Sequence, residues 1–505
     1  MVKYLIIFIA LFLALFRLSS VTLFDVDEAV FAEATKEMLQ SGNWITPTYN
    51  DEPRYDKPIL FYWLMAISYK IFGINEFSAR FPSALAGFIL CLSIFIFLNT
   101  LNRKREALYA VLCFTFSLYY LVYTHAAVTD MTLTLFISLS LFSFYLAIYK
   151  AQKYIYGFYI FSALAFLTKG LIGIVFPFSI AGMYMILMEG RKGIRRILDF
   201  KAFIVFLLIS LPWYVTQIAI NGQDFIQQFF IKHHFMRYTG VISGHKGPFY
   251  YFIPVLIIGL FPWISFLPQG LRNIRKDNLR FFSLIWFSFI FIFFSLSTTK
   301  LPNYILPAIP AASILISFGM AEFREKPSSV PLIIIGFLSI LFAAAFLIGV
   351  NKIRLYLPDF DIIWVYVISI VILLFALVSF YGMLKRKKIF LSMACLTFVF
   401  LMIISLKIIP YVNKTLQDGL YRISLYVKEN FKDSEVITYK LNKPSIVFYS
   451  DKKILKVNSE KKILDILRQN KKIIIIAHVK DLVFLKNSGL EILLEEGEYA
   501  VLEKS

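Results

Sequence analysis

The acids and cations of this chain fall at places where phosphate and sugar chemistry could be done. The run FDVDEAVFAEATKEML sets Asp25, Asp27 and Glu28 just after an apolar segment and before an amphipathic one. An acid near a helix N-terminus satisfies loose N–H groups and favours the dipole. Capping explains one such acid well and three less well. In NDEPRYDKPILFYW, Asp56 and Lys57 stand before Pro58, a residue suited to the first position of a helix. A helix N-terminus can bind phosphate, with the lysine adding a point charge. A surface ion pair of little energetic weight is the plainer alternative. Asp130 in AAVTDMTLTLF opens an apolar run, with His125 upstream. A carboxylate at the edge of a membrane segment must face a bundle interior or water, unless it caps its own helix. Lys169 in LTKGLIG lies between two apolar runs and either snorkels to the interface or points at an anion.

Two further stretches carry candidates. KHHFMRYTGVISGHKGPFYYF holds His233, His234, Arg237, His245 and Lys246, and STTKLPNYILPAIP holds Lys300, Asn303 and Tyr304. Metal binding by the histidines with Asp56 is open, but adjacent histidines without fixed spacing to another ligand are a weak signal. Acids at 27, 56 and 130 with cations at 57, 169, 237, 246 and 300 suit group transfer from a lipid phosphate. The cations would hold the phosphate as leaving group, and a carboxylate would orient or deprotonate an acceptor. No Walker-type loop and no glycine-rich dinucleotide turn occurs, so no nucleotide is expected.

The elements that must position these groups are membrane helices. Of the 505 residues, 59 % are hydrophobic and 17 % charged, against roughly 45–50 % apolar in ordinary soluble domains. A soluble fold could not cover that much apolar surface. The net charge of +20 then reads as lysine and arginine gathered in cytoplasmic loops and at headgroups, not as a nucleic-acid footprint. Cys91, Cys113 and Cys395 lie in apolar runs without metal spacing and are expected to pack.

The expected fold class is an all-α polytopic bundle with a small α/β tail. Thirteen spans are predicted, near 4–22, 78–100, 106–124, 130–149, 154–168, 171–188, 200–220, 250–268, 279–297, 302–320, 330–350, 362–384 and 389–409. Basic clusters at 103–105, 150–153, 191–196, 272–280 and 385–388 put the N-terminus inside and the C-terminus outside. The first outer loop, 23–77, has amphipathic segments at 29–39 and 59–72 that read as surface helices. A second outer loop covers 221–249. The expected domains are 1–410, in the membrane, and 411–505, outside it, with strands near 436–440, 446–449 and 473–477 and a helix at 459–469.

The run DVDEAVFAEATKEMLQSGNWITPTYNDEPRYDKPILFYWLMAISYKIFGINEFSARFPSAL resembles the first-loop signature of membrane glycosyltransferases that use polyprenyl-phosphate sugars. That family includes the protein O-mannosyltransferases and the aminoarabinose transferases of lipid A. TDMTLTLF, LTKGLIGIVFP, HKGPFYYFIPVLIIGLFPW and SLSTTKLPNYILPAIP resemble its later pieces in the same order, so the resemblance covers about residues 25–320. It implies the multi-span fold called GT-C, in the inner membrane. It implies Asp27 as the essential first-loop acid and Asp130 as a second acid in the cavity. Lys57, Arg237 and Tyr304 are implied as contacts to the lipid phosphate, with Lys169 on the same side. Asp56 stands where the aminoarabinose branch has Glu, and His234 lies near its histidine. In that branch the pair can hold zinc, and the shorter Asp weakens the match.

The reaction so implied is inverting displacement of a sugar from undecaprenyl phosphate, or a similar carrier, to an acceptor at the outer face. A lipid A phosphate would need no general base, whereas a Ser or Thr hydroxyl would need one acid to accept a proton. The span count and soluble tail favour lipid A. A lipid-linked sugar flippase is the rival from another class. Such transporters show two related halves with broken helices at the midplane, whereas the special residues here gather at one face.

Overall fold

The structure is a computed structural model that describes residues 2–229, 247–356, 359–385, 389–468 and 473–504. Two compact units emerge. One comprises Met1–Phe16, Asp56–Phe61 and Pro82–Lys407; the other comprises Arg17–Tyr55, Tyr62–Phe81 and Ile408–Ser505.

The first unit is a helical bundle. Among the described residues of the chain, nine helices are long and apolar enough to cross a bilayer, or up to eleven if each of two bent pairs is one span. The pairs are Lys104–Thr115 with Leu118–Thr124, bent by 60°, and Phe252–Gly259 with Trp263–Gly270, bent by 106°. Pro262 sits in the second break, where its missing N–H interrupts the helical ladder. Two of the thirteen predicted spans fall short of the roughly 20 residues a crossing requires. The first helix, Val2–Leu15, has 14 residues, and Arg17 follows at φ 60, a left-handed conformation that no helix continues through. Ile155–Lys169 has 15 residues.

Three contacts hold the helices that matter below. Ser140 Oγ in helix Asp130–Tyr149 donates to the Phe158 carbonyl at 2.8 Å and pairs with Ser162 Oγ at 2.8 Å, joining this helix to Ile155–Lys169. Such bonds contribute about 1 kcal/mol each between membrane helices. Gly170, at φ 78, ends Ile155–Lys169. A Cβ on Gly173 would stand 2.3 Å from the backbone of Ala165 and Phe166, so only glycine lets helix Ile172–Glu189 fold back this closely. Trp286 Nε1 donates to the Pro307 carbonyl at 2.9 Å and fixes the 3-10 turn Pro302–Ala308 against helix Asn278–Leu296.

The second unit joins the tail to pieces of the stretch 17–81. After a short hairpin, β1 (Thr48–Tyr49) and β2 (Glu52–Pro53), the tail supplies β3 (Glu435–Tyr439), β4 (Ile454–Val457), β5 (Ile473–His478), β6 (Leu490–Glu496) and β7 (Tyr499–Lys504). The sheet order is β4-β3-β5-β7-β6. β3 runs parallel to β4 and β5, with Ile437 opposite Leu455 and Ile475, while β7 runs antiparallel to β5 and β6. The central strand reads IIIIAH and is buried along five of its six residues, as a strand covered on both faces requires. One face packs on Leu420, Ile423 and Val427 of helix Ile409–Asn430, and the other on Ile463, Leu467, Leu482 and Leu485.

The strand predicted at 446–449 is instead part of helix Pro444–Ser450. A short continuous apolar run does not distinguish buried strand from buried helix, and Pro444 opens the helix. The loop segment predicted at 29–39 is helix Asp27–Ser41, closed by Gly42 at φ 69. The segment predicted at 59–72 is Leu60–Phe72, so Pro58 lies before the helix rather than opening it.

Candidate active site

Asp130 begins helix Asp130–Tyr149 and is buried. Its Oδ1 accepts from Lys169 Nζ at 2.6 Å and from Asn303 Nδ2 at 3.1 Å. Both charged side chains are largely covered, at 7 % exposure for Asp130 and 15 % for Lys169. Lys169 is the last residue of its helix, where a cation complements the dipole. Its ammonium also lies 5.8 Å from the Tyr304 ring centroid, and that ring leans on Phe294 at 5.1 Å. Three sequence-distant segments, 130, 169 and 303–304, thus meet in one polar cluster. An ammonium has three donors and a carboxylate up to four acceptor sites, so the pair keeps capacity for a ligand.

Two neighbours that looked chemical are structural. Lys300 is buried, and its Nζ donates to the carbonyls of Phe294, Ser295 and Ser297. It thereby satisfies carbonyls at the C-terminal end of helix Asn278–Leu296 that have no partner within the helix. This removes it from the set of cations expected to hold a phosphate. The His125 ring nitrogens lie 2.8 and 2.9 Å from the carbonyls of Leu121 and Phe16, tying its helix to the chain's first.

Lys57 and Asp56 are half-buried, and Lys57 Nζ donates to the Asp56 carbonyl at 3.1 Å. Among the described residues no group of three or more His, Cys, Asp and Glu side chains could hold a metal ion. His234 and Arg237 lie outside the described residues.

In the second unit the acids of DVDE have separate fates. Glu28 is buried and takes a two-pronged contact from Arg80, Nε at 3.0 Å and Nη2 at 2.8 Å. It also accepts from the Phe24 amide at 2.9 Å. Arg80 is fully buried; its remaining N–H groups go to the carbonyls of Leu18, Val21 and Thr22. All five guanidinium donors are therefore used. Asp25 accepts from the Ser445 amide at 2.8 Å and from Ser445 Oγ at 2.6 Å. Burial raises its carboxyl above the usual range, opposed by those two bonds and by Lys443. Asp27 stands exposed at the first position of its helix. Sequence reasoning missed Arg80, although a lone arginine in an apolar helical run is a signal in itself.

A second buried charge group lies on the same loop helix. Lys36 Nζ bridges Glu33 at 3.3 Å and Asp451 at 2.6 Å. Burial pushes the Glu33 carboxyl up to about 7 against the pull of Lys36. The hydrogen bond from Lys36 holds Asp451, which is more exposed, below the usual carboxylate range.

Comparison with known proteins extends this picture. A family model described as dolichyl-phosphate-mannose-protein mannosyltransferase matches residues 56–215, which include Lys57, Asp130 and Lys169. An uncharacterized protein of Aquifex aeolicus (strain VF5) is 30 % identical over 465 residues, 90 % of this chain and 88 % of its own length. The undecaprenyl phosphate-alpha-4-amino-4-deoxy-L-arabinose arabinosyl transferase 2 of Proteus mirabilis (strain HI4320) is 31 % identical over 365 residues. That stretch is 69 % of this chain and 65 % of the transferase. In fold, the chain matches the crystal structure of ArnT from Cupriavidus metallidurans bound to undecaprenyl phosphate. The TM-score is 0.87 at 22 % identity, over 99 % of this chain and 97 % of that one.

Proposed function

The chain belongs to the membrane glycosyltransferases of the GT-C superfamily that use polyprenyl-phosphate sugars, and from that premise we propose that it moves a sugar from undecaprenyl phosphate to a lipid A phosphate. The observation that carries this reading is the buried Asp130 held by Lys169 and Asn303 beside Tyr304. A carboxyl group whose partners are fixed before substrate arrives needs no reorganisation during reaction.

In the proposed step an oxygen of the acceptor phosphate attacks the anomeric carbon as the bond to the carrier phosphate breaks. Undecaprenyl phosphate leaves with the electron pair, and the anomeric configuration inverts. Lys57, Arg237 and Tyr304 hold the leaving phosphate. Lys169 gives one donor to Asp130 and turns the others to the same phosphate. Asp27 and Asp130 orient the sugar through its amine or hydroxyls. A phosphate acceptor is already an anion, so no general base is required.

Asp56 and His234 would supply two ligands to a zinc ion, whereas protein zinc sites use three or four; the proposed step draws on no metal. We place the N-terminus in the cytoplasm of an inner membrane, with 1–410 as the membrane catalytic domain and 411–505 outside, on the lysine and arginine bias of the loops.

The test is reconstitution into liposomes with undecaprenyl-phosphate aminoarabinose as donor, and lipid A or a Ser/Thr-rich peptide as acceptor, read by acceptor mass. Lipid A that gains one sugar supports the proposal. Sugar on the peptide alone moves the chain to the protein-modifying branch. Donor crossing the bilayer with neither acceptor modified overturns transfer in favour of a flippase.

A further inference from the structure

The stretch 22–28, which carries Asp27, is held to an unusual degree by residues far away in sequence. Four come from the tail. Asn413 Nδ2 donates to the Thr22 carbonyl at 3.1 Å and to its hydroxyl at 3.0 Å, and Asn413 Oδ1 accepts from the Thr22 amide at 3.3 Å. The Tyr449 hydroxyl accepts from the Leu23 amide at 2.8 Å and donates to Glu76 at 2.9 Å. Ser445 binds both oxygens of Asp25. With the Gln417 amide turned to suit its neighbours, it donates to Asp25 Oδ2 and accepts from the Asp25 amide, each at 3.2 Å. From the other side Arg80 takes the carbonyls of Val21 and Thr22 and both oxygens of Glu28.

Asn413 and Gln417 lie four residues apart on helix Ile409–Asn430, and Ser445 and Tyr449 lie four apart on helix Pro444–Ser450. Each pair therefore presents one helix face to the loop. The polar groups so used are buried, with Asn413 at 8 % and Gln417 at 4 % exposure. A tail needed only for solubility has no reason to bury four polar side chains against three residues of a loop, Thr22, Leu23 and Asp25. Ordinary apolar packing would join the two at less desolvation cost.

We propose that the tail is a positioning device for the reaction: Asn413, Gln417, Ser445 and Tyr449, with Arg80 opposite, fix the backbone from which Asp27 projects. Asp25 and Glu28 are anchors, and Asp27 is the acid left to meet substrate. This rests on the glycosyltransferase reading, in which Asp27 orients the sugar. It gives the tail a part in turnover rather than in donor binding. A loop free to move by an ångström would misplace that carboxylate, and misplacement of that size can cost about a hundredfold in rate.

The test uses the full chain in liposomes. Variants are Ser445→Ala with Gln417→Ala, and Ser445→Thr, which keeps the hydroxyl. Hydrogen–deuterium exchange over 22–31 is read by mass spectrometry beside the kcat and donor KM of transfer. Removing hydrogen bonds to a charged group is expected to speed exchange over 22–31 by roughly tenfold or more, with 473–478 in β5 unchanged. The kcat should fall by about tenfold or more with donor KM within about twofold, as loss of an orienting interaction made in the transition state predicts. Ser445→Thr should retain both. Exchange that does not move overturns the anchoring, and exchange that moves with kcat intact overturns the part in catalysis. A wild type that transfers no sugar fails the glycosyltransferase reading itself, while exchange still decides whether the tail holds the loop.

Discussion

Glu33 makes the loop–tail unit lose stability as pH rises through neutrality. Two carboxylates, Glu33 and Asp451, share the single ammonium of Lys36. Glu33 side-chain exposure is 6 % and that of Asp451 is 45 %, so Glu33 bears the greater desolvation cost and is the one that takes up a proton. Its carboxyl titrates at about 7 in the folded chain against an ordinary 4.5. Between those values the folded state holds a proton that the unfolded state has lost. Stability from this group is therefore full below about 4.5 and disappears as pH climbs through about 7. The gap corresponds to about 3 kcal/mol.

Protonation leaves Lys36 its bond to Asp451, so no buried charge is orphaned. Asp451 acts in the opposite sense: its lowered value contributes stability above the ordinary carboxylate range that is lost in acid. Glu33→Gln mimics the protonated form. The assay is thermal unfolding of the purified protein at pH 5 and pH 8, at one scan rate because membrane proteins unfold irreversibly. About 2.5 kcal/mol of this falls between pH 5 and pH 8, so wild type should melt about 5–10 °C lower at pH 8, taking 2–4 °C per kcal/mol for a unit of this size. Glu33→Gln should remove most of that difference by raising the pH 8 value. A wild type that melts higher at pH 8, or a Gln variant that leaves the pH 8 midpoint unmoved, would refute the reasoning.

Three further outcomes follow from the geometry. Lys169→Met leaves Asp130 buried, with the hydrogen bond from Asn303 still in place. The partial exposure of the pair brings the expected cost below the 3–5 kcal/mol of a fully buried one, to about 1–3 kcal/mol, and adding Asp130→Asn should recover much of it in a double-mutant cycle of melting temperatures. Arg80→Met removes the buried counter-charge of Glu28 and the donors to three backbone carbonyls together, so the loop–tail unit should fail to fold, read as loss of protease-resistant tail. Gly173→Val drives side-chain atoms into the backbone of Ala165 and Phe166 and should cost about 1–3 kcal/mol or more, checked by melting temperature against Gly182→Ala, where nothing lies within 4 Å of an added Cβ.

Membrane helices were legible in the sequence because their signal is local: long apolar runs with basic loops between them. The cluster at Asp130 was legible as separate residues with unusual burial prospects, yet their meeting was not, since 130, 169 and 303 come together only through helix packing. Lys300 misled because a cation that satisfies helix carbonyls and one that awaits an anion look alike in sequence. Two of the three acids of DVDE, Asp25 and Glu28, do more than cap. The division of the three into anchors and one exposed acid depends on Arg80, Ser445 and Gln417, and no local pattern links those positions. The helix at 444–450 was misread for a related reason, because four consecutive apolar residues carry no period.

The central claim is sugar transfer from a polyprenyl phosphate, and release of undecaprenyl phosphate in liposomes tests it most directly. Wild type with donor and lipid A should release the carrier. Asp27→Asn and Lys57→Ala, both still folded, should each fall by about a hundredfold or more, the scale seen when one charge-stabilising group is removed from an active site. Release at wild-type rates from both variants, or none from wild type with any donor, would contradict the account.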